Sequence, residues 1–327
     1  MKGSYRIVVS NASLQYDFTI HRNITIIKGN SATGKTTLVE MIREYYDSGP
    51  GSGIRLTCKR TCRVIGGRDW KIVLESIRNS IVFIDEDNAF LASDEFAEAV
   101  RESDNYYVLV TREGLPNLPY SVEEIYGIRE SGKYASLKQT YNEFYRIYGW
   151  DSPVDTLKPE VLLTVDSNAG YEFFYEVAGN HGVLVKSAAG KSNVFSRLLD
   201  DIDKKTVVVA DGAAFGAEMD RVMKLIRKHE NLALYLPESF EWMILQSGVV
   251  QTGELTEILQ NPEIHIESSE YFSWERFFTE LLIQLTRGTY LQYSKKKINP
   301  GYLCTQSIKK ILAVQEHISF QNKEDPL

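Results

Sequence analysis

A glycine-rich loop near the amino terminus has the residue types and the spacing of a phosphate-binding site. The segment Gly29-Asn-Ser-Ala-Thr-Gly-Lys-Thr36 matches the pattern G-x-x-x-x-G-K-[S/T] at every position. Glycines at the first and sixth positions let the backbone turn its N–H groups toward phosphate oxygens, and Lys35 brings a positive charge to the β- and γ-phosphates. The hydroxyl of Thr36 is a ligand that Mg²⁺ takes beside a phosphate. The chemistry indicated is binding of a nucleoside triphosphate with magnesium.

The segments on either side of the loop support this interpretation. Residues 24–28 are apolar and predict a strand, and residues 36–46 predict a helix. A strand before the loop and a helix after it form the expected context, because the helix N-terminus directs the positive end of its dipole toward a bound anion. We expect nucleotide contacts from the loop and the threonine that follows it: Gly29, Asn30, Ser31, Ala32, Thr33, Gly34, Lys35, Thr36 and Thr37.

A second motif supplies carboxylates. The apolar run IVFI ends in Asp85 and Glu86. Asp85 is expected to hold Mg²⁺ through water, with Thr36 as the other protein ligand. Glu86 is placed to orient or deprotonate an attacking water, which makes Glu86 and Lys35 the candidate catalytic residues. Asp87 is an alternative to Glu86 for the same task.

A polar pair follows the next apolar strand, which is predicted at residues 106–110. Thr111 and Arg112 stand at its carboxyl end. Either residue could sense a γ-phosphate there, and the alternative is an ordinary exposed arginine at a strand terminus. The spacing alone does not choose between these interpretations.

These motifs together resemble the P-loop ATPases of the ABC/SMC/OLD branch. The resemblance is carried by GNSATGKT, by VFIDED and by the strand before Thr111, and it covers residues 1–130. No NKxD-like or LSGGQ-like motif is present. The resemblance implies ATP and Mg²⁺ as ligands, ATP hydrolysis as the activity, and a homodimer in which a neighbour completes the site.

A second alternation of strands and helices begins near residue 160. Apolar strands are predicted at 161–165 and 206–210, and they run into Asp166 and Asp211. Because the carboxyl ends of parallel strands share one edge of a sheet, these two aspartates are expected to meet there and to suit a divalent cation.

This second alternation resembles the Toprim domain of topoisomerases, primases and OLD-type nucleases. That family carries a glutamate after its first strand and a D-x-D motif after its third. Here Asp166 stands at the first position, and Asp211 is followed by Gly212 and Ala213, so the second aspartate of the pair is absent. The resemblance implies a metal site for nucleic-acid chemistry, and the two departures leave open a unit that keeps the fold without cleavage.

An ATPase followed by a Toprim-like unit resembles OLD-family and related phage-defence or mobile-element proteins. That likeness implies ATP binding and hydrolysis that control the second unit during nucleic-acid processing. The alternative is a non-catalytic, ATP-gated module that acts through a partner effector protein. A metal-dependent nuclease and a nucleotide-gated binding module both agree with the residues.

The predicted fold class is α/β. It combines a P-loop parallel sheet at 1–153, a Toprim-like α/β domain at 154–250 and a helical region at 251–327. A basic and aromatic cluster, Lys295–Lys297 with Tyr290, Tyr293 and Tyr302, is interpreted either as a nucleic-acid contact or as a solvated helix end.

The amino-acid composition argues against several other classes of protein. The 327 residues carry 37 Lys and Arg against 44 Asp and Glu, a net charge of −7, so any contact with DNA or RNA must be local rather than a coat of positive charge. Three cysteines cannot build a disulfide framework. No apolar run reaches the roughly 18 residues of a membrane span. We expect a cytoplasmic protein without a membrane segment or a secretory signal.

Overall fold

The computed structural model describes residues 1–29, 33–131, 139–148 and 158–315. These ranges form a mixed α/β protein with a large mixed sheet, a smaller parallel sheet and helices. The chain divides into two compact units, Met1–Gly149 with Asn261–Ser273, and Trp150–Gln260 with Trp274–Leu327. Among the described residues no helix is long and apolar enough to cross a membrane.

These units differ from the predicted division into three segments. The predicted boundary at 153/154 lies outside the described residues. The predicted helical region at 251–327 is not a unit of its own, because Asn261–Ser273 belongs with the first unit. Hydrogen bonds hold that segment in place: the amino group of Met1 donates to Ser268 Oγ at 2.9 Å, and Asn23 Nδ2 donates to the Phe272 carbonyl at 3.1 Å. Residues so far apart along the chain show no pattern in the local sequence that would predict their contact.

The first unit is built on a nine-stranded sheet with the order β4-β1-β2-β9-β8-β3-β7-β6-β5. Its strands are β1 (Tyr5–Ser10), β2 (Leu14–Ile20), β3 (Ile24–Ile27), β4 (Arg55–Thr57), β5 (Cys62–Val64), β6 (Ile81–Ile84), β7 (Tyr106–Val110), β8 (Ile125–Glu130) and β9 (Thr140–Arg146). Its α-helices are α1 (Lys35–Ser48), α2 (Trp70–Glu75) and α3 (Asp94–Arg101).

Five neighbouring strands of this sheet, β8, β3, β7, β6 and β5, run parallel. Every residue of β3, β6 and β7 is buried, as expected for strands covered on both faces. The register pairs Ile27 with Val110 and Ile84 with Leu109. The carboxyl ends of β3, β7 and β6 therefore lie side by side, and the segments that follow them emerge at one edge.

The sheet must curve strongly around α1. Strands β4 and β5 stand at opposite ends of the order, yet only residues 58–61 connect them. That connection spans at most about 18 Å, whereas a flat sheet would separate its first and ninth strands by about 38 Å. Helix α1 contacts β1, β4 and β5, and buries Leu38, Val39, Met41 and Ile42 in a core shared with both ends of the sheet. The curvature wraps the sheet around the helix that follows the glycine-rich loop.

The second unit contains a four-stranded parallel sheet with the order β11-β10-β12-β13. Its strands are β10 (Val161–Thr164), β11 (Leu184–Ser187), β12 (Thr206–Val209) and β13 (Leu232–Tyr235). Its helices are α4 (Ala169–Gly179), α5 (Val194–Asp200), α6 (Met219–Ile226), α7 (Phe240–Gln246), α8 (Leu255–Gln260), α9 (Trp274–Thr286) and α10 (Thr305–Leu312). Strands β10 and β12 are central and fully buried, so Asp166 and Asp211 follow adjacent strands.

A buried carboxyl group lies at the amino-terminal end of β8. Glu124 is 1% exposed, and its Oε2 accepts a hydrogen bond from the Thr25 hydroxyl at 3.2 Å. Burial raises the pKa of Glu124 from 4.5 to about 7, although the nearby positive charges of Arg22 and Arg146 oppose the rise. The folded protein therefore retains a proton on Glu124 between about pH 4.5 and 7, where the unfolded chain releases it.

We expect Glu124→Gln to remove part of the pH dependence of stability. In the wild type this group destabilises the folded state as the pH rises from about 4.5 to 7, by up to ~3 kcal/mol. Urea unfolding of both proteins at pH 5.5 and pH 8 measures the difference. Glu130→Gln, at the exposed end of β8, is the control and should behave like the wild type. An unchanged pH dependence in Glu124→Gln would show that Glu124 does not carry the effect.

Candidate functional site

The glycine-rich loop joins the carboxyl end of β3 to the amino end of α1. Gly29 and Gly34 have φ angles of 140° and 83°, backbone conformations that residues with a Cβ rarely adopt. Gly34 caps α1, which begins at Lys35. The predicted contacts Asn30, Ser31 and Ala32 lie outside the described residues. Thr33 and Thr37 are partly exposed and Thr36 is exposed at the first turn of α1, where a ligand can reach its hydroxyl.

The side chain of Lys35 turns back onto the loop. Lys35 is 5% exposed, and its Nζ donates to the Gly29 carbonyl at 2.9 Å and to the Thr33 hydroxyl at 3.3 Å. The Lys35 ammonium thus bonds to one residue at each end of the glycine-rich loop, Gly29 and Thr33. A phosphate group that enters the loop finds the ammonium and the N-terminus of a 14-residue helix at the same place.

A tyrosine from the neighbouring hairpin supports the loop. The hydroxyl of Tyr16, on β2, donates to the Gly34 carbonyl at 2.9 Å. A Cβ added at Gly34 would lie 2.7 Å from that hydroxyl, which is too close for any side chain. Gly34 is thus required both by its φ angle and by the approach of Tyr16. Sequence reasoning missed Tyr16, because the pairing of β1 with β2 is what brings it to the loop.

We expect Tyr16→Phe to weaken ATP binding by about fivefold, because the Gly34 carbonyl loses a buried hydrogen bond and the loop loses a fixed point. Tyr106→Phe is the matched control, since its hydroxyl donates to the Gly3 carbonyl at 3.1 Å from the amino-terminal end of β7. Titration calorimetry with ATP and Mg²⁺ measures affinity, and thermal unfolding measures stability. Equal affinity in both variants would mean that Tyr16 stabilises the fold without positioning the loop.

The acidic strand end lies at the same edge of the sheet. Asp85 is 9% exposed, and its Oδ1 accepts the Glu86 N–H at 2.8 Å, which directs the carboxylate back along the turn. The Asp85 carbonyl accepts from the Asn88 side chain at 3.0 Å. Asp87 is exposed and accepts from Asn88 at 2.7 Å. The turn therefore separates a buried aspartate from an exposed one.

Glu86 is held by Arg112. The Nε of Arg112 donates to both carboxylate oxygens of Glu86, at 3.1 and 3.0 Å, and its Nη2 donates to Oε1 at 2.6 Å. These hydrogen bonds lower the pKa of Glu86, and the positive charges of Arg112 and Lys35 contribute. Glu86 therefore stays ionised at neutral pH, within electrostatic reach of the Lys35 ammonium.

The structure distinguishes Thr111 from Arg112, the two residues at the end of β7 that could sense a γ-phosphate. Thr111 is 7% exposed, and its hydroxyl donates to the Glu113 carbonyl at 2.9 Å. Arg112 is exposed and bonds to the carboxylate of Glu86. Because β7 lies between β3 and β6, Arg112 leaves the sheet between the glycine-rich loop and the acidic turn. Arg112 is the better placed of the two to contact a terminal phosphate.

The residues of the first unit fit ATP and Mg²⁺. The loop has the φ angles, the buried ammonium and the helix N-terminus that bind phosphate, and Thr36 and Asp85 are oxygen donors at the same sheet edge. The described residues contain no group of three His, Cys, Asp or Glu placed to hold a metal ion. Magnesium is commonly held by one or two protein oxygens together with substrate phosphates and water.

In the second unit, Asp166 and Asp211 line one cavity, as the strand order predicts. The cavity has a volume of about 40 Å³, with Glu241, Tyr293 and Lys295 also in its wall. That volume accommodates a few water molecules. The two aspartates thus line the same cavity.

The carboxylates of this cavity are already bonded within the protein. The oxygens of Asp166 accept from the backbone and side-chain nitrogens of Asn168 at 3.2 and 2.7 Å. Asp211 Oδ1 accepts from the Phe240 N–H at 3.2 Å. Burial raises the pKa of Asp211 well above its usual range, and repulsion by Glu275 adds to that rise. Both carboxyl groups thus accept hydrogen bonds within the protein, and a metal site at Asp166 and Asp211 stays a prediction.

The basic and aromatic cluster does not form one surface. Tyr293 and Tyr302 are 3% and 0% exposed, so neither can stack on a base. Lys295 pairs with Glu275, while Lys296 and Lys297 are exposed. Tyr290 is 83% exposed. Tyr293 and Tyr302 therefore offer no stacking surface, and a nucleic-acid contact by the exposed Tyr290, Lys296 and Lys297 stays a prediction.

No known protein family matches the chain, and no curated protein matches it either.

Proposed function

We propose that the first unit binds ATP with Mg²⁺ and hydrolyses it. One observation carries the proposal: the buried Lys35 ammonium, bonded to Gly29 at the start of the glycine-rich loop, lies at the same sheet edge as a buried aspartate and an ionised glutamate. Anion recognition, a metal ligand and a candidate base are the three components that phosphoryl transfer to water requires.

Each side chain has a specific task in this proposal. Lys35 moves from the Gly29 carbonyl to the β- and γ-phosphates, and the amino end of α1 contributes its dipole. Thr36 and Asp85 would hold Mg²⁺, which when bound neutralises phosphate charge. Glu86 orients the attacking water and accepts its proton. Arg112 is positioned to exchange Glu86 for the terminal phosphate.

A nucleotide series tests the binding step. The wild type should bind ATP and ADP with Mg²⁺, and AMP should bind at least about tenfold more weakly, because Lys35 recognises the β- and γ-phosphates. Thr36→Ala should lower the dependence of ATP affinity on Mg²⁺. Thr57→Ala, at an exposed threonine of β4, is the matched control. Equal affinity for AMP and ATP would contradict the proposed site.

The alternative is a module that binds ATP without hydrolysing it and acts through a partner effector protein. The three hydrogen bonds from Arg112 to Glu86 favour this alternative, because they occupy both oxygens of the candidate base. In that case ATP would change the conformation or the pairing of the protein, and no phosphate would be released.

The process that ATP binding and hydrolysis control is a separate proposal. We propose that nucleotide binding controls the second unit, in the setting of nucleic-acid processing and as a homodimer. The four-stranded parallel sheet of the second unit supports this assignment, because it agrees with the alternation of strands and helices on which the Toprim-like resemblance rests. Stimulation of phosphate release by DNA or RNA, with gel filtration in the presence and absence of ATP, tests both parts.

A further inference from the structure

A lysine of the second unit occupies the acidic edge of its sheet. Lys295 lines the same cavity as Asp166, Asp211 and Glu241, and its ammonium forms an ion pair with Glu275 at the start of α9. Burial opposes the charged form of Lys295, but the carboxyl groups of Glu275, Glu241 and Asp211 outweigh it, so the pKa of Lys295 is raised. A positive charge thus stands where carboxylates converge.

The backbone fixes Lys295 in this position. The Ala169 N–H, at the start of α4, donates to the Lys295 carbonyl at 2.9 Å. Three residues later, the Ile298 N–H donates to the Glu172 carboxylate of the same helix at 2.6 Å. The segment that carries Lys295 is therefore tied to α4 on both sides, and its side chain is presented to the cavity by a defined backbone.

The other carboxylates of the cavity have neutral hydrogen-bond donors. The Tyr293 hydroxyl donates to Glu241 Oε1 at 2.8 Å, and both residues are buried. Asp211 accepts from a backbone N–H and Asp166 accepts from Asn168. Among the described residues that line this cavity, Lys295 is the cation.

We infer that the Lys295 ammonium takes the place of a divalent cation at the carboxyl ends of β10 and β12. The second unit then neutralises its acidic edge with its own side chain. It needs no metal to fold, and it cannot use the Asp166–Asp211 edge for metal-dependent cleavage.

Manganese binding followed by electron paramagnetic resonance tests this inference without nucleotide. All proteins carry Asp85→Asn, so that the first unit contributes no carboxylate ligand. The parent protein should show no saturable Mn²⁺ site. Lys295→Gln keeps a hydrogen-bond donor for Glu275 but removes the charge, and it should increase Mn²⁺ affinity by about tenfold or more. Adding Asp211→Asn to Lys295→Gln should abolish the gain.

Lys296→Gln is the matched control, because it makes the same change at an exposed neighbour. If Lys295→Gln does not fold, the double variant Lys295→Gln/Glu275→Gln removes both charges of the pair and should show the same gain. Saturable Mn²⁺ binding by the parent protein that Asp211→Asn removes would overturn the inference. So would a folded Lys295→Gln protein that binds Mn²⁺ no better than the parent. Neither outcome bears on ATP binding by the first unit.

Discussion

Replacement of Lys35 by alanine is expected to lower the affinity for ATP and Mg²⁺ by about 100-fold or more. The side chain is buried, its ammonium bonds to the Gly29 carbonyl, and it would form charge-assisted hydrogen bonds to two phosphates, each worth roughly 1.5–3 kcal/mol. Titration calorimetry with ATP and Mg²⁺ measures the loss directly.

Lys71→Ala is the control for this change. Lys71 is an exposed lysine of the same unit that pairs with Glu95 at 2.7 Å, and its removal should leave ATP affinity unchanged. Thermal unfolding should show that Lys35→Ala remains folded. An unchanged affinity in a folded Lys35→Ala protein would mean that the glycine-rich loop does not bind nucleotide.

Glu86→Gln is expected to reduce turnover by about 100-fold to 10,000-fold while the protein still binds ATP. The amide keeps the size of the side chain but cannot accept a proton from water. The substitution also removes the ion pair with Arg112, so ATP affinity is expected to stay the same or to rise. Single-turnover phosphate release and titration calorimetry separate the two effects.

Asp87→Asn distinguishes the two candidate bases. Asp87 is exposed and accepts a hydrogen bond from Asn88, whereas Glu86 lies within electrostatic reach of Lys35, so substitution of Asp87 should leave turnover nearly unchanged. A large loss in Asp87→Asn with full activity in Glu86→Gln would assign the base to Asp87. Loss of ATP binding in Glu86→Gln would instead indicate a structural task for this side chain.

The central strands could be predicted from the sequence within about one residue, because burial on both faces requires continuous apolar runs. Strands β3, β6, β7, β10 and β12 belong to this class. Strand β9 was missed, since its sequence TYNEFYR is polar and only partly buried. Its place between β2 and β8 is set by pairing across the sheet, and no local pattern encodes that pairing.

The candidate site, like the sheet, has features that the sequence predicts and features that it does not. The spacing from Gly29 to Thr36 and the acidic end of β6 are local features, so the sequence predicts them directly. The contact of Tyr16 with Gly34 and the ion pair of Arg112 with Glu86 join residues 18 and 26 positions apart, and they arise from strand order. Lys295 approaches Asp166 from more than one hundred residues away, which no motif could have indicated.

The aromatic cluster near residue 290 shows a different limit. A tyrosine that alternates with lysines is equally typical of a stacking surface and of a core residue with a hydrogen-bonded hydroxyl. Tyr293 is the second kind, because its hydroxyl donates to buried Glu241. The sequence alone does not distinguish a tyrosine on a stacking surface from a tyrosine in the core. The burial of Tyr293 in the structure does.

Phosphate release from ATP and Mg²⁺ by the purified protein is the most direct test of the proposed ATPase activity. It should be measured with and without DNA or RNA, in the wild type and in Glu86→Gln. If the protein is an ATPase, each wild-type chain should release many phosphates, and Glu86→Gln should release almost none. Tight ATP binding with no phosphate release by the wild type in any condition would contradict the ATPase and favour the ATP-gated module.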